Sequence, residues 1–266
     1  MRRIALIACV LMLIAIGAGA FAWRWAERGP GRASVRNAIT RFRTSSTVPP
    51  GARTPTPGVY LYKGKGSEQL SFMSTHQTQG PTEPGTVTAL RDGCFAFRLD
   101  YNSFHSQTWV RCWDGTKLVE KGGMADQKFD FVAFKESDQG TTTCDPPFVV
   151  ADANATPGTS WPVQCDVHSS TTNTTAHQRG TMTVVGPEAV VVAGTSVPAL
   201  HIRQDLRLSG GQTGSVHLEL WLATANGLPL REQHEISVVS PAPAPIKHVT
   251  YTERGSWQAM SLEPRH

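Results

Sequence analysis

From Gly58 onward the chain is built of short runs in which apolar and polar residues alternate, separated by Gly, Pro, Asn, Asp and Ser. Such a period-2 pattern marks half-buried β-strands. It predicts strands over 59–63, 69–74, 86–91, 94–99, 108–113, 117–120, 129–135, 161–167, 181–185, 189–193, 198–208, 216–223, 230–239 and 247–254. Nothing after residue 57 carries a helical period, and no repeat of fixed length is present. The pattern therefore predicts an all-β domain over 58–266. Its sheet is antiparallel and curved, as a half-barrel, an open barrel or a sandwich.

Two segments allow register to be argued. Around the turn at 101–106, one pairing sets Cys94 opposite Cys112 and, on the other face, Phe97 opposite Trp109. A cross-strand disulfide backed by an aromatic pair is self-consistent. Four cysteines allow three pairings, and this register favours Cys94–Cys112 with Cys144–Cys165. In the second segment Val216, Leu218, Leu220 and Leu222 share one face of a strand, while His217, Glu219 and Trp221 share the other. Return through 224–227 sets Trp221 beside Arg231 and His217 beside Glu235, giving a cation–aromatic pair and a charge pair outside. The aliphatic face Val216, Leu218, Leu220 and Leu222 is the candidate ligand-binding surface. Phe95, Phe97, Phe129, Phe131 and Phe134 read as core.

The N-terminal end is different. Ile4–Trp23 is uncharged and mostly apolar, and twenty helical residues span about 30 Å, the thickness of a bilayer core. Residues 1–23 therefore read as a membrane anchor, or as a signal peptide cut after Ala18-Gly19-Ala20. Residues 24–57 read as a juxtamembrane segment. There Ser34 caps a short basic helix through Arg43, lying on headgroups or packing on the body, and a Ser/Thr/Pro linker follows.

Charge sharpens this division. The first 57 residues hold nine Arg and one acid, leaving 16 basic and 20 acidic residues in the body. A mildly acidic body without a basic stripe excludes nucleic acid as a partner. Arg24, Arg28, Arg32 and Arg36 would, by the positive-inside rule, hold the body in the cytoplasm. The even set of four body cysteines points instead to an oxidising compartment, and an extracytoplasmic body with its N-terminus inside is the expectation.

Motifs for chemistry are few. The nine histidines show no metal-ligand spacing, and the cysteines lack a CxxC pair, so neither metal nor cofactor is expected. No nucleophile elbow is present. His201 and His217 read as solvated histidines of a sheet face. A catalytic reading would need His105, Asp100 and a hydroxyl to meet in one cleft.

The run Leu220-Trp221-Leu222-Ala223-Thr224-Ala225-Asn226-Gly227-Leu228-Pro229-Leu230-Arg231 resembles the hairpin of LolA-like envelope proteins. Val184–Glu188, Val190–Gly194 and Val197–His201 resemble strands of the same group. That group includes periplasmic lipoprotein carriers and sigma-pathway regulators, and the resemblance covers about 181–239. It implies a curved half-barrel with an apolar concave face. As a whole the chain resembles membrane-anchored envelope proteins of high-GC Gram-positive bacteria. The resulting expectation is a non-catalytic, membrane-tethered domain that binds a lipid or glycolipid in a sheet cavity, or serves as a protein-interaction module of an envelope assembly; a hydrolase is the lesser reading.

Overall fold

The computed structural model describes residues 30–45, 48–71, 76–130, 135–241 and 247–266, with the side chains of 129, 130, 135 and 136 excepted. The predicted anchor over 4–23 lies outside the described residues. Among the described residues no helix is long and apolar enough to cross a membrane.

The body is all-β. Thirteen antiparallel strands follow one another around a single sheet: β1 (Gly58–Leu70), β2 (Gln77–Gln79), β3 (Thr82–Ala89), β4 (Cys94–Asp100), β5 (His105–Asp114), β6 (Lys117–Asp130), β7 (Lys135–Asp152), β8 (Ser160–Ser169), β9 (Thr174–Val192), β10 (Thr195–Gly210), β11 (Thr213–Ala223), β12 (Pro229–Pro241) and β13 (His248–Ala259). β2 and β3 both pair with β1, β2 along Gly66–Glu68 and β3 along Gly58–Lys63. β13 pairs with the other edge of β1, from Tyr62↔Ala259 to Leu70↔Tyr251. The sheet thus closes into a twelve-strand barrel. The half-barrel, the open barrel and the sandwich are all corrected by this one pairing. Closure removes the exposed edges that an open sheet leaves unpaired.

Several predicted strands prove to be pieces of longer ones. β1 runs through Lys63-Gly64-Lys65-Gly66-Ser67-Glu68, and β9 runs through a bulge where its register with β10 shifts beside His201. Residues 129–135 do not form one strand, because Asp130 pairs with Lys135 across β6 and β7. Phe95 and Phe97 are core. The side chains of Phe129, Phe131 and Phe134 lie outside the described residues.

The helix α1 (Val35–Ser45) starts where predicted. Asn37 N–H donates to Ser34 Oγ at 3.3 Å, and Ala38 N–H donates to the Ser34 carbonyl. α1 packs on the outer wall of β1 and β3. Ala38 is fully buried, Phe42 meets the His266 ring at 5.7 Å, and Arg41 pairs with Asp100. Of the two expected surfaces for this helix, the barrel is the one it occupies here.

The two ends of the barrel differ. At the far end Leu118, Phe148, Leu222 and Leu228 fill the interior. The linker crosses it, with Arg53 stacked 3.9 Å over Trp113 and bonded to the Gly115 carbonyl. Above this plug lies an aromatic layer. Tyr62 meets Phe97 and Trp257 edge-on at 5.7 and 5.0 Å, and Phe97 stacks on Trp109 at 5.7 Å. The other end, framed by the turns at 101–104, 170–173 and 211–212, is the mouth. There the inward-facing Gln127, Thr142, Val167, Gln178, Val216 and Leu218 remain only half-buried. A barrel of eight strands is just wide enough for side chains to fill; twelve leave more lumen than side chains close.

Cys94–Cys112 and Cys144–Cys165 are both disulfides. Cys94 stands opposite Cys112 and Phe97 opposite Trp109, in the predicted register. Cys144 and Cys165 belong to the buried core.

Candidate functional site

The aliphatic face of β11 turns inward as expected. Leu220 and Leu222 are buried in the core, and Val216 and Leu218 continue it toward the mouth. Trp221 pairs with Arg231, whose guanidinium lies 4.4 Å over the indole. His217 stands opposite Glu235, but their expected charge pair does not form. His217 Nδ1 turns to Asp205 at 2.7 Å, and Arg254 pairs with Glu235. His201 is not a solvated histidine: it stacks on Trp221 at 4.0 Å and bonds both Glu188 and Glu219. His105 and Asp100 do not meet, because they lie on opposite faces of the sheet. Asp100 faces out to Arg41 and Arg98, and His105 faces the lumen.

The lumen holds a feature the sequence reading missed. On β12 the inward row is Leu230, Glu232, His234, Ile236 and Val238; on β13 it is Tyr251, Glu253, Gly255 and Trp257. β1 adds Glu68, β3 adds Glu83 and β5 adds His105. These four glutamates and two histidines are each at most 6% exposed. The parity that puts Trp221 and Arg231 outside puts Glu232 and His234 inside. That signal was present in the alternation of β12.

Five of these groups form an alternating chain of carboxylates and imidazoles. Glu68 Oε2 lies 3.3 Å from His105 Nδ1, which is 3.8 Å from Glu253 Oε1. Glu253 Oε1 lies 3.3 Å from His234 Nε2, and His234 Nδ1 lies 3.1 Å from Glu232 Oε1. Neutral donors hold the carboxylates in place. Tyr251 hydroxyl reaches Glu68 and Glu253 at 2.9 and 2.7 Å, Gln127 donates to Glu68 at 2.6 Å, and Trp257 Nε1 donates to Glu232 at 3.2 Å. Gln79 donates to Glu253. Asn102 donates to Glu68 at 3.0 Å while accepting the His105 N–H at 2.8 Å, so one side chain fixes both ends of the first link.

Glycine makes room for this layer. A Cβ on Gly64 would sit 2.1 Å from Glu83 Oε1, and one on Gly255 would sit 2.6 Å from His234 Nε2. The strands carrying these side chains can approach only because those two inward positions are empty.

The electrostatics follow from burial and pairing. Burial alone would lower the His234 pKa, but its bonds to Glu232 and Glu253 outweigh that and push it up to about 10. His105 is raised in the same way by Glu68 and Glu253. Burial works against the charge on Glu253, yet the two imidazoles and Tyr251 bring it down to about 2. Glu83 is the exception. Burial pushes it up to about 8, and the histidines offset this only in part. Its Oε2 has no hydrogen-bond partner. At neutral pH His234 is therefore a cation, Glu253 a carboxylate and Glu83 mostly a neutral acid. The layer sets four carboxyl groups against two imidazoles and can both donate and accept hydrogen bonds. Among the described residues no three His, Cys, Asp or Glu side chains are arranged to hold a metal ion.

The fold and site define a closed antiparallel barrel whose lumen sets a buried acid–histidine layer beside half-buried aliphatic residues at the mouth end. Comparison of the chain with protein-family models, with curated proteins and with solved structures finds no match.

Proposed function

We propose that this protein is a membrane-tethered, extracytoplasmic barrel that binds an amphiphile at its mouth without transforming it. The apolar part lies against Leu206, Val216, Leu218 and Ile236, and the head faces the acid–histidine layer. The observation that carries this reading is the contrast inside one lumen. Val216, Leu218 and Ile236 face inward yet stay half-buried, while six ionisable groups beside them are buried; Leu218 pairs with His234 and Ile236 with Glu253. Burying ions costs stability that well-packed apolar residues would not cost, so such a layer is expected where it recognises something. Its four carboxyl groups outnumber its two imidazoles, which favours a sugar or an amine as the head over an anionic phosphate. A glycolipid satisfies both walls. The two disulfides fit an oxidising compartment. The LolA-like hairpin over 220–231 supports the same apolar inner face.

The test is a native mass spectrum of the full chain taken from its own membrane in mild detergent without reductant. A lipid-sized adduct is expected, and Leu218→Trp, which fills the mouth, should lose it. Val191→Trp, on the exposed outer wall, should keep it. A folded, oxidised chain with no adduct overturns the reading. It would leave an interaction module ahead, favoured by an outer recess of about 550 Å³ lined by Lys65, His217, Glu219, Glu235 and Arg254.

A further inference from the structure

We infer that the barrel stands with its mouth against the membrane that holds its own N-terminal segment, so that the lumen opens onto the lipid surface rather than onto water. This rests on the anchor reading of residues 4–23 given above. The direct observation is where the chain first bonds the barrel. The Ser103 N–H donates to the Gly31 carbonyl at 2.8 Å, and Ser103 belongs to the 101–104 turn on the rim of the mouth. The chain therefore reaches the barrel at its mouth end. α1 then carries it down the outer wall, the linker crosses the far end, and β1 starts there.

Length keeps this rim near the membrane, and charge chooses the end that faces it. From Trp23 to Gly31 is eight residues, which reach at most about 28 Å when fully extended. The wall below Ser103 is β4 and β5, of 7 and 10 residues, or about 18–26 Å at about 3.4 Å each and a tilt of about 40°. Arg32 and Arg36 are exposed beside this rim, and Arg24 and Arg28 precede them. Arg32 and Arg36 meet anionic headgroups when the mouth is down. Two of the arginines that contradict export under the positive-inside rule have a role on the outer leaflet in this arrangement.

An amphiphile bound as proposed would then pass between bilayer and lumen without exposing its apolar part. The inference is separable from that ligand, because it concerns only which end faces lipid.

The experiment uses the full chain in nanodiscs of phosphatidylglycerol and phosphatidylcholine carrying a headgroup nitroxide lipid. A Cys9→Ser background leaves the disulfides as the remaining cysteines. A fluorophore is placed by Thr172→Cys, in the 170–173 turn at the mouth, or by Asn154→Cys, at the far end. Both residues are exposed. Several-fold stronger quenching at 172 than at 154 is the expected result. Equal quenching, or stronger quenching at 154, overturns the mouth-down orientation while leaving the anchor intact. Failure of the full-length chain to enter the discs overturns the anchor and the orientation with it. Loss of the lipid adduct alone touches neither.

Discussion

Glu83→Gln should stabilise this protein, and by an amount set by pH. Glu83 points into the lumen from β3, is 1% exposed, has an unpartnered Oε2 and carries a pKa of about 8 against an ordinary 4.5. Its folded-state pKa is raised. Its contribution is therefore fully present below pH 4.5 and is lost as pH climbs toward 8, because the unfolded chain releases a proton that the folded chain keeps. The shift of roughly 3.5 units is worth about 5 kcal/mol above pH 9 and about 3 kcal/mol at pH 7. Glutamine has nearly the same shape and no proton to hold. The difference in unfolding free energy between Glu83→Gln and the parent should thus rise by about 1.4 kcal/mol per pH unit between pH 5 and 8, and level off on either side. Urea unfolding of the oxidised proteins at a series of pH values measures it. Any fixed cost of the new amide moves the whole curve without changing its slope. A flat difference, or one that grows toward acid, would refute a buried neutral acid at this position.

His234 titrates in the same direction. Its pKa of about 10 means that its pairing is fully present below pH 6.5 and fades as pH rises through 10. His234→Gln should cost about 3–5 kcal/mol at pH 6, by leaving Glu232 and Glu253 buried without their cation, with a smaller loss above pH 10. Gly64→Ala should push the Glu83 carboxyl out of its place. It should lower the thermal midpoint far more than Gly140→Ala, where the nearest atom to an added Cβ lies at 3.8 Å, and differential scanning calorimetry separates the two. Replacing Cys94 and Cys112 by Ala should cost about 3 kcal/mol for a loop of this size. Denaturant unfolding of the double variant checks it against the 18-residue separation of the pair.

Strands whose inward row is aliphatic were legible. β10 and β11 alternate Leu, Ile and Val with His, Arg, Asp and Glu, and the cysteines fix the β4–β5 register. Strands whose inward row is polar or empty were not. Residues 64–68 fall between two predicted strands, yet they continue β1, and their inward positions Gly64, Gly66 and Glu68 belong to the layer of buried acids. The second half of β6 and nearly all of β7 were also missed. Gln127, Asp138, Gly140 and Thr142 face inward at the mouth end and carry no hydrophobic period. The second half of β7 does bury Phe148 and Val150, but Pro146-Pro147 interrupts its strand pattern. The acid–histidine layer was hidden by a general expectation that Glu and His on strands face water. What contradicted that expectation was parity along β12, where Glu232 and His234 share a face with Leu230. Closure itself left no mark in any one segment, since it depends on β1 meeting a strand at the other extreme of the domain.

That meeting has a kinetic consequence. Tyr62 pairs with Ala259, roughly two hundred positions later, while every other neighbouring pair of strands is close in sequence. Hairpins such as the one holding Cys94–Cys112 can form as soon as their own residues are available. The barrel must wait for β13. Long-range pairing is slow because loop entropy is lost before any contact compensates for it. Until it occurs, the sheet carries two unprotected edges, which are open to pairing with another chain. A chain lacking β13 is therefore left as an adhesive open ribbon instead of a smaller barrel.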